Sequence, residues 1–205
     1  MLSPLTSTII LLAFPPVRLL YYMKRIEESI MTILPCTMED VDVVAAFYDE
    51  VTAYLAKHVN YPHWRHKQYP SLAYVAAMTR SGGQYLLKEN DRVVGAFVLN
   101  TDPQGAYEVV PWHTRANDNA FAVLHALAID PSAYGQGLAK QAVDFCIGYA
   151  RQKGYIALRL DVVPTNTPAR CLYEGMGFDY IGDYDLMRGY DDIPLFSMYE
   201  LDLNR

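Results

Sequence analysis

Residues Phe121 to Ala150 read FAVLHALAIDPSAYGQGLAKQAVDFCIGYA, and the fold turns on how this stretch divides. Phe121 to Ile129 is an apolar run of strand length. Asp130-Pro131 ends it, because a proline cannot donate to a strand ladder. Tyr134-Gly135-Gln136-Gly137 is a short glycine loop. Leu138, Ala142, Phe145 and Tyr149 then recur at helical spacing, and Gly154 is a natural stop. The unit is therefore strand, glycine loop, helix N-terminus. Such a unit binds anions. The first-turn N–H groups lack intrahelical partners, the helix dipole favours negative charge, and glycine lets a phosphate approach the backbone. The same residues fit a plain βα corner that needs glycine for its turn, and the loop alone leaves both readings open. It is neither a P-loop nor a dinucleotide fingerprint, since Lys140 stands where the fingerprint's third glycine would be.

The chain has 205 residues, which suits one domain with a sizeable core. With 52% hydrophobic and 20% charged residues it is globular in composition. A net charge of −6 argues against a nucleic-acid partner, which calls for a basic face. Cys36, Cys146 and Cys171 form no metal or redox pair, and Cys146 and Cys171 are expected to be buried. Sparse, odd cysteines suit a reducing compartment, so the cytoplasm is the expected location. Residues 1–30 read as an extension outside a domain spanning 31–205. Their apolar run, Ile9 to Phe14, is too short to span a bilayer, so no stable membrane insertion is expected.

From Thr32 the pattern is regular. A strand runs from Thr32 to Cys36. Thr37 to Asp40 caps a helix with Val41, Val44, Tyr48, Val51 and Leu55 on one face. An aromatic and basic linker, His58 to Tyr69, precedes a helix opened by Pro70-Ser71, with Leu72, Val75, Ala76 and Met78 inward. Gln84–Lys88 and Val93–Leu99 form a hairpin. Asp102 to Asn119 is a long polar and aromatic connection. After the central unit come a strand at Ile156–Val162, a short helix at Thr167–Glu174, and strands at Phe178–Tyr184 and Leu195–Leu201. The order predicts an α/β (mixed α+β) fold, a central mixed sheet with helices on both faces.

A second signature follows the Ile156–Val162 strand. Asn166 to Phe178 reads NTPARCLYEGMGF, and Asn166, Ala169 and Tyr173 fall on one helix face. A tyrosine so placed fits a packing role as well as a proton donor. Taken together, the two stretches resemble the GCN5-related N-acetyltransferase (GNAT) superfamily. The family loop Q/R-x-x-G-x-G/A is matched by Tyr134 to Ala139 except at the first position. The later motif N-x-x-A-x-x-L-Y-x-x-x-G-F is matched by Asn166, Ala169, Leu172, Tyr173, Gly177 and Phe178.

The resemblance implies a mostly antiparallel sheet of about six or seven strands, with parallel strands 4 and 5 splaying apart to admit acetyl-coenzyme A. It implies cofactor contacts along Leu127, Ala128 and Ile129, a pyrophosphate cradle from Tyr134, Gly135, Gln136, Gly137, Leu138, Ala139 and Lys140, and further contacts at Asn166, Ala169 and Tyr173. The implied activity is acetyl transfer to a primary amine by direct attack in a ternary complex, with Tyr173 returning a proton to the thiolate. A non-catalytic acyl-coenzyme A sensor is the alternative, although it has no use for a thiolate acid. His125, two residues before Leu127 and expected on the same sheet face, is the candidate base, and a core histidine bonded to backbone fits its position equally. Glu108 and His113 are rivals. The acceptor wall is expected from Tyr61, Trp64, Arg65 and Lys67 on the linker and Asp191 and Asp192 on the last loop, suiting an amino-acid-like or peptide N-terminal amine. No carboxylate or cysteine completes the spacing of His58, His63 and His66, so no metal is expected. Leu195–Leu201, read as an edge strand, leaves room for a homodimer.

Overall fold

The computed structural model describes residues 23–26, 29–115 and 120–205. The described residues hold eight strands and four α-helices. These are β1 (Met23–Ile26), β2 (Ser29–Pro35), α1 (Val41–Leu55), α2 (Leu72–Arg80), β3 (Gln84–Glu89), β4 (Arg92–Asn100), β5 (Phe121–Ile129), α3 (Leu138–Gln152), β6 (Ala157–Val162), α4 (Thr167–Gly175), β7 (Asp179–Tyr184) and β8 (Phe196–Asp202). They form one sheet in the order β1-β2-β3-β4-β5-β6-β8-β7. Every pairing is antiparallel except β5 with β6.

Seven of the strands are those expected from the pattern. The eighth, β1, comes from the 1–30 segment and pairs with β2 from Met23↔Thr32 to Ile26↔Ser29. Residues 1–22, including the Ile9–Phe14 run, lie outside the described residues. The strand expected at the edge, β8, is internal, held between β6 and β7, so the edge available for pairing on that side is β7. Among the described residues no helix is long and apolar enough to cross a membrane.

Both sheet faces are covered. Val44, Tyr48 and Val51 of α1 and Val75 of α2 pack on Leu86, Ala96 and Ala128. On the other face Leu138, Ala142, Cys146 and Ala150 of α3, with Tyr173 of α4, meet Tyr85, Phe97, Leu124 and Leu158. A third cluster, with Tyr107, Val110, Phe121, Val123 and Phe196, lies under the connection after β4. The caps differ in detail from the sequence pattern. Ser71 accepts from the Tyr74 amide at 3.2 Å as an N-cap should, whereas the Asp40 carboxylate turns back to accept from Thr37 N–H (2.9 Å) and Oγ1 (2.8 Å). Leu72 points outward at 53% exposure, and Cys171 is exposed rather than buried, because the buried side of short α4 is taken by Tyr173.

Candidate active site

β5 and β6 run together for three register pairs, Phe121↔Ala157 to Val123↔Arg159, and then part. On its other side β5 carries a bulge. Ala96 pairs with Ala128 and Val98 with His125, so Ala126 and Leu127 both stand opposite Phe97. A bulge adds one residue and bends its strand. Ala126 takes a positive φ of 49°, and the buried Tyr48 hydroxyl donates to its carbonyl at 2.8 Å. The extra residue changes which face each later side chain meets. Leu124, Leu127 and Ile129 pack toward α3, Ala126 and Ala128 toward α1 and α2, and Val123 toward the cluster under the connection. His125 follows Val123 by alternation. The expectation that His125 and Leu127 share a face fails, because the bulge between them breaks the period of two.

The glycine loop closes the wide end of the splay. Asp130 Oδ1 accepts from Ser132 N–H (2.8 Å) and Oγ (2.7 Å), and Arg92 pairs with the other oxygen. Gly135 and Gly137 have φ of 79° and 76°, a region that costs an L-residue strain, and a Cβ built on either would meet nothing within 4 Å. The first helical bond of α3 runs from Gln141 N–H to the Gly137 carbonyl at 3.1 Å, so the amides of Leu138, Ala139 and Lys140 precede it. Tyr134, where the family pattern has Gln or Arg, meets Tyr54 edge-on at 6.3 Å, and Tyr54 stacks on His58 at 3.9 Å. The loop is thereby braced against the end of α1.

Across the splay, Asn166 caps α4, its side-chain oxygen accepting from Ala169 N–H at 3.3 Å. Tyr173 is buried, its ring 5.6 Å from Phe178 and 6.3 Å from Tyr199. Burial raises its phenol well above the usual tyrosine value, so it stays protonated at neutral pH. No hydrogen bond among the described residues engages its hydroxyl.

One cavity of about 1250 Å³ joins these parts. Of the expected cofactor residues, Leu127, Ala128, Ile129, Tyr134, Gly135, Gly137, Leu138, Ala139, Lys140, Asn166, Ala169 and Tyr173 line it, and Gln136 does not. His125 lines it too. Its Nε2 lies 2.8 Å from the Asp102 carbonyl, which can only accept, so Nε2 carries the proton. Burial pushes the imidazole below its ordinary value, with Asp161 opposing, and favours the neutral ring. Of the residues expected to form the acceptor wall, Tyr61, Trp64, Arg65 and Asp192 line the cavity, while Glu108 and Asp191 stand off it. Glu108 sits in a short 3-10 turn, Tyr107–Val109, whose buried tyrosine faces inward and turns the carboxylate to solvent. Arg65 and Asp192 pair with each other at 3.1 Å, so the linker and the β7–β8 loop meet over the cavity.

Two charged lining residues were not read from the sequence. Asp161 of β6 and Arg188 of the β7–β8 loop form a two-pronged pair, both contacts 2.8 Å, and the Tyr107 hydroxyl donates to the same carboxylate at 2.8 Å. Burial pushes the Asp161 carboxyl up, but Arg188 and these hydrogen bonds outweigh it and hold it below the usual range. The available signal was an aspartate in β6, a strand that is apolar except for it and Arg159, and a charge so placed seldom occurs without a partner.

Comparison with known proteins matches this arrangement. The family model described as Acetyltransferase (GNAT) family matches residues 44–178, more than half of the chain. The mycothiol acetyltransferase of Salinispora tropica is 35% identical over 86 residues, covering 40% of this chain and 28% of that protein. N-acetyltransferase 8B of Rattus norvegicus is 29% identical over 108 residues, 51% of this chain and 43% of its own length. The bS18-alanine N-acetyltransferase of Haemophilus ducreyi is 38% identical over 60 residues, 29% of this chain and 41% of its length. The chain thus spans less than half the length of these relatives. Among solved structures, a GNAT acetyltransferase of Listeria monocytogenes superposes with a TM-score of 0.69 at 15% identity, covering 88% of this chain and 99% of that one. An acetyltransferase of Salmonella typhimurium with its cofactor acetyl-CoA gives 0.60 at 17%, covering 85% and 95%. At such identities the structures speak for the fold. With the family model over residues 44–178, the splayed β5–β6 pair and the glycine loop at its mouth, the chain belongs to the GNAT family of acetyltransferases.

Proposed function

We propose that this chain is an N-acetyltransferase that takes the acetyl group of acetyl-coenzyme A to a primary amine by direct attack in a ternary complex. The observation that carries this reading is the single cavity that runs from the glycine loop, through the splay, past Tyr173 and His125, to the linker and the β7–β8 loop. Its residues fit the cosubstrate. Gly135 and Gly137 leave open space where a Cβ would project, and the amides of Leu138, Ala139 and Lys140 suit a pyrophosphate. The strand edge from Leu127 to Ile129 suits an extended amide chain laid along it. Bound acetyl-coenzyme A supplies an activated acyl thioester.

The residues divide the remaining work. A primary ammonium, with an ordinary pKa of about 10, must lose a proton before it can attack. His125, neutral and with Nε2 held to a carbonyl, offers Nδ1 as the acceptor of that proton, directly or through water. A backbone N–H of the bulge near Leu127 is the candidate donor to the carbonyl oxygen as charge develops there. Tyr173, protonated and without another partner among the described residues, gives its proton to the departing sulfur. Once bonded to the acetyl carbon the nitrogen still carries two protons and sheds one; the proton count closes when that proton restores Tyr173 through water and His125 releases its own to solvent.

For the acceptor, every Arg, Lys and Asp side chain that lines the cavity is paired: Arg65 with Asp192, Arg188 with Asp161, Lys140 with Asp144. An amino-acid zwitterion that called on Arg65 and Asp192 for its two charges would compete with that pairing. A peptide N-terminal amine, or a small amine with an uncharged body, fits better than a polyamine or a free amino acid. A panel of amines with acetyl-coenzyme A, read by thiol release, tests this. Peptides with a neutral first residue are expected to turn over fastest. Coenzyme A binding without thiol release from any amine would instead favour a non-catalytic binding module.

A further inference from the structure

We propose that Arg188 is a positioning residue for acetyl transfer, clamping the turn after β4 so that the Asp102 carbonyl holds His125 with Nε2 protonated and Nδ1 available. The proposal rests on the reading of His125 as the base.

The clamp is built from several independent contacts. Arg188 Nε donates to the Gln104 carbonyl at 2.7 Å and Nη2 to the Pro103 carbonyl at 3.2 Å. Its two terminal nitrogens also meet the Asp161 oxygens at 2.8 Å each. One guanidinium thus ties the turn at 102–104 to β6, from a loop that joins two other strands. A lysine, with three donors at one point, cannot span these acceptors. The chain makes room for the contact: a Cβ at Gly105 would come within 3.0 Å of both Arg188 Nε and the Leu186 carbonyl. Ala106 N–H donates to that same Leu186 carbonyl at 3.1 Å, fastening the two loops directly. His125 Nε2 reaches the Asp102 carbonyl, one residue before the clamped pair, at 2.8 Å.

The same pair sets the charge around the imidazole. The charged groups acting on His125 are Asp161 from β6, Arg188 from the β7–β8 loop and Asp102 from the turn, and the Tyr107 phenol lies on Asp161. Asp161 favours the protonated ring and Arg188 opposes it, with Asp161 the stronger of the two. Removing either unbalances the ring in opposite directions.

The experiment measures the His125 titration by NMR in the unliganded protein and the pH dependence of kcat/KM in wild type, Arg188→Met, Asp161→Asn and the double variant. With Arg188→Met, both the NMR titration and the acidic limb are expected to move up by about one pH unit, since an uncompensated carboxylate then faces the ring. Turnover should fall about 10-fold to 100-fold as the ring loses its fixed place, with the KM for acetyl-coenzyme A unchanged. With Asp161→Asn, the titration and the limb should both move down. The double variant leaves no lone buried charge, so it should fold even if a single variant does not, and its titration should return toward wild type while turnover stays low. His125 titrations that stay in place in Asp161→Asn and in Arg188→Met would overturn the proposal, as would full turnover in the double variant. If His125→Gln keeps the wild-type acidic limb, the base reading fails, whereas the NMR titrations still judge the clamp.

Discussion

Tyr173 is held by its ring and not by its hydroxyl. Phe178 and Tyr199 flank it, the residue lines the cavity, and no hydrogen bond among the described residues engages its hydroxyl. Tyr173→Phe should therefore keep the fold, with a stability change below about 1 kcal/mol, the usual worth of one hydrogen bond. Turnover should fall roughly 10²-fold, within the range for a lost general acid, while coenzyme A affinity stays put. Steady-state kinetics beside a binding isotherm separates the two effects. His125 carries a different signature. Burial lowers its folded value below the ordinary 6.5, so below pH 6.5 the unfolded chain binds protons more readily than the folded one. That contribution to stability is complete above 6.5 and is lost as pH falls toward the lowered folded value. Denaturant melts of His125→Gln against wild type across this window should show a shallower loss for the variant.

At the scale of elements, the site depends on where β5 stops being regular. Parallel pairing holds its first three residues, the bulge at Ala126 and Leu127 bends the remainder, and Tyr48 from α1 fixes the bulge carbonyl. The glycine loop then delivers the N-terminus of α3 to the widened gap. Gly137→Val tests this unit. The positive φ makes the variant less stable by itself, on the order of 1–2 kcal/mol. The deciding readout is the rise in Tm that coenzyme A confers, measured against each protein's own unliganded value. Wild type should show a clear rise and the variant none. An equal rise in both would reduce the loop to a turn.

Over the whole molecule, the end of the cavity proposed for the acceptor exists only because segments far apart in sequence converge. Asn60 holds the linker around Trp64 by two hydrogen bonds, Nδ2 to the Trp64 carbonyl at 2.7 Å and Trp64 N–H to Oδ1 at 3.1 Å. The indole ring meets Tyr48 at 6.1 Å and Tyr69 at 5.9 Å. Arg65 then reaches Asp192 on the β7–β8 loop. Both partners are largely exposed, so this bridge matters more for the shape of the opening than for stability. Trp64→Ala should raise the acceptor KM and leave acetyl-coenzyme A binding unchanged. Arg65→Ala should alter acceptor KM less at high salt than at low salt, since exposed pairs are screened. Acceptor kinetics that ignore both substitutions would place the acceptor elsewhere.

The sequence by itself determined the elements and their chemistry where both are local. Strand, glycine loop and helix at Phe121–Ala150, the cap at Ser71, the Asn166–Tyr173 helix and the hairpin at Gln84–Leu99 all follow from spacing within a dozen or so residues. So does the side of the cavity proposed for the cosubstrate, which two adjacent βα units supply almost alone. Only the tertiary structure decided the rest. The bulge that parts His125 from Leu127 is fixed by a tyrosine 78 positions away, and the Arg65–Asp192 bridge spans 127 positions. Whether a charged side chain is available to a ligand depends on which other charge the fold brings to it, and Asp161 and Arg188 find each other only once β6 and the β7–β8 loop are in place. Periodicity records which side of an element is buried. It carries no record of the partner across the gap, and at this site the partner decides which groups remain for chemistry.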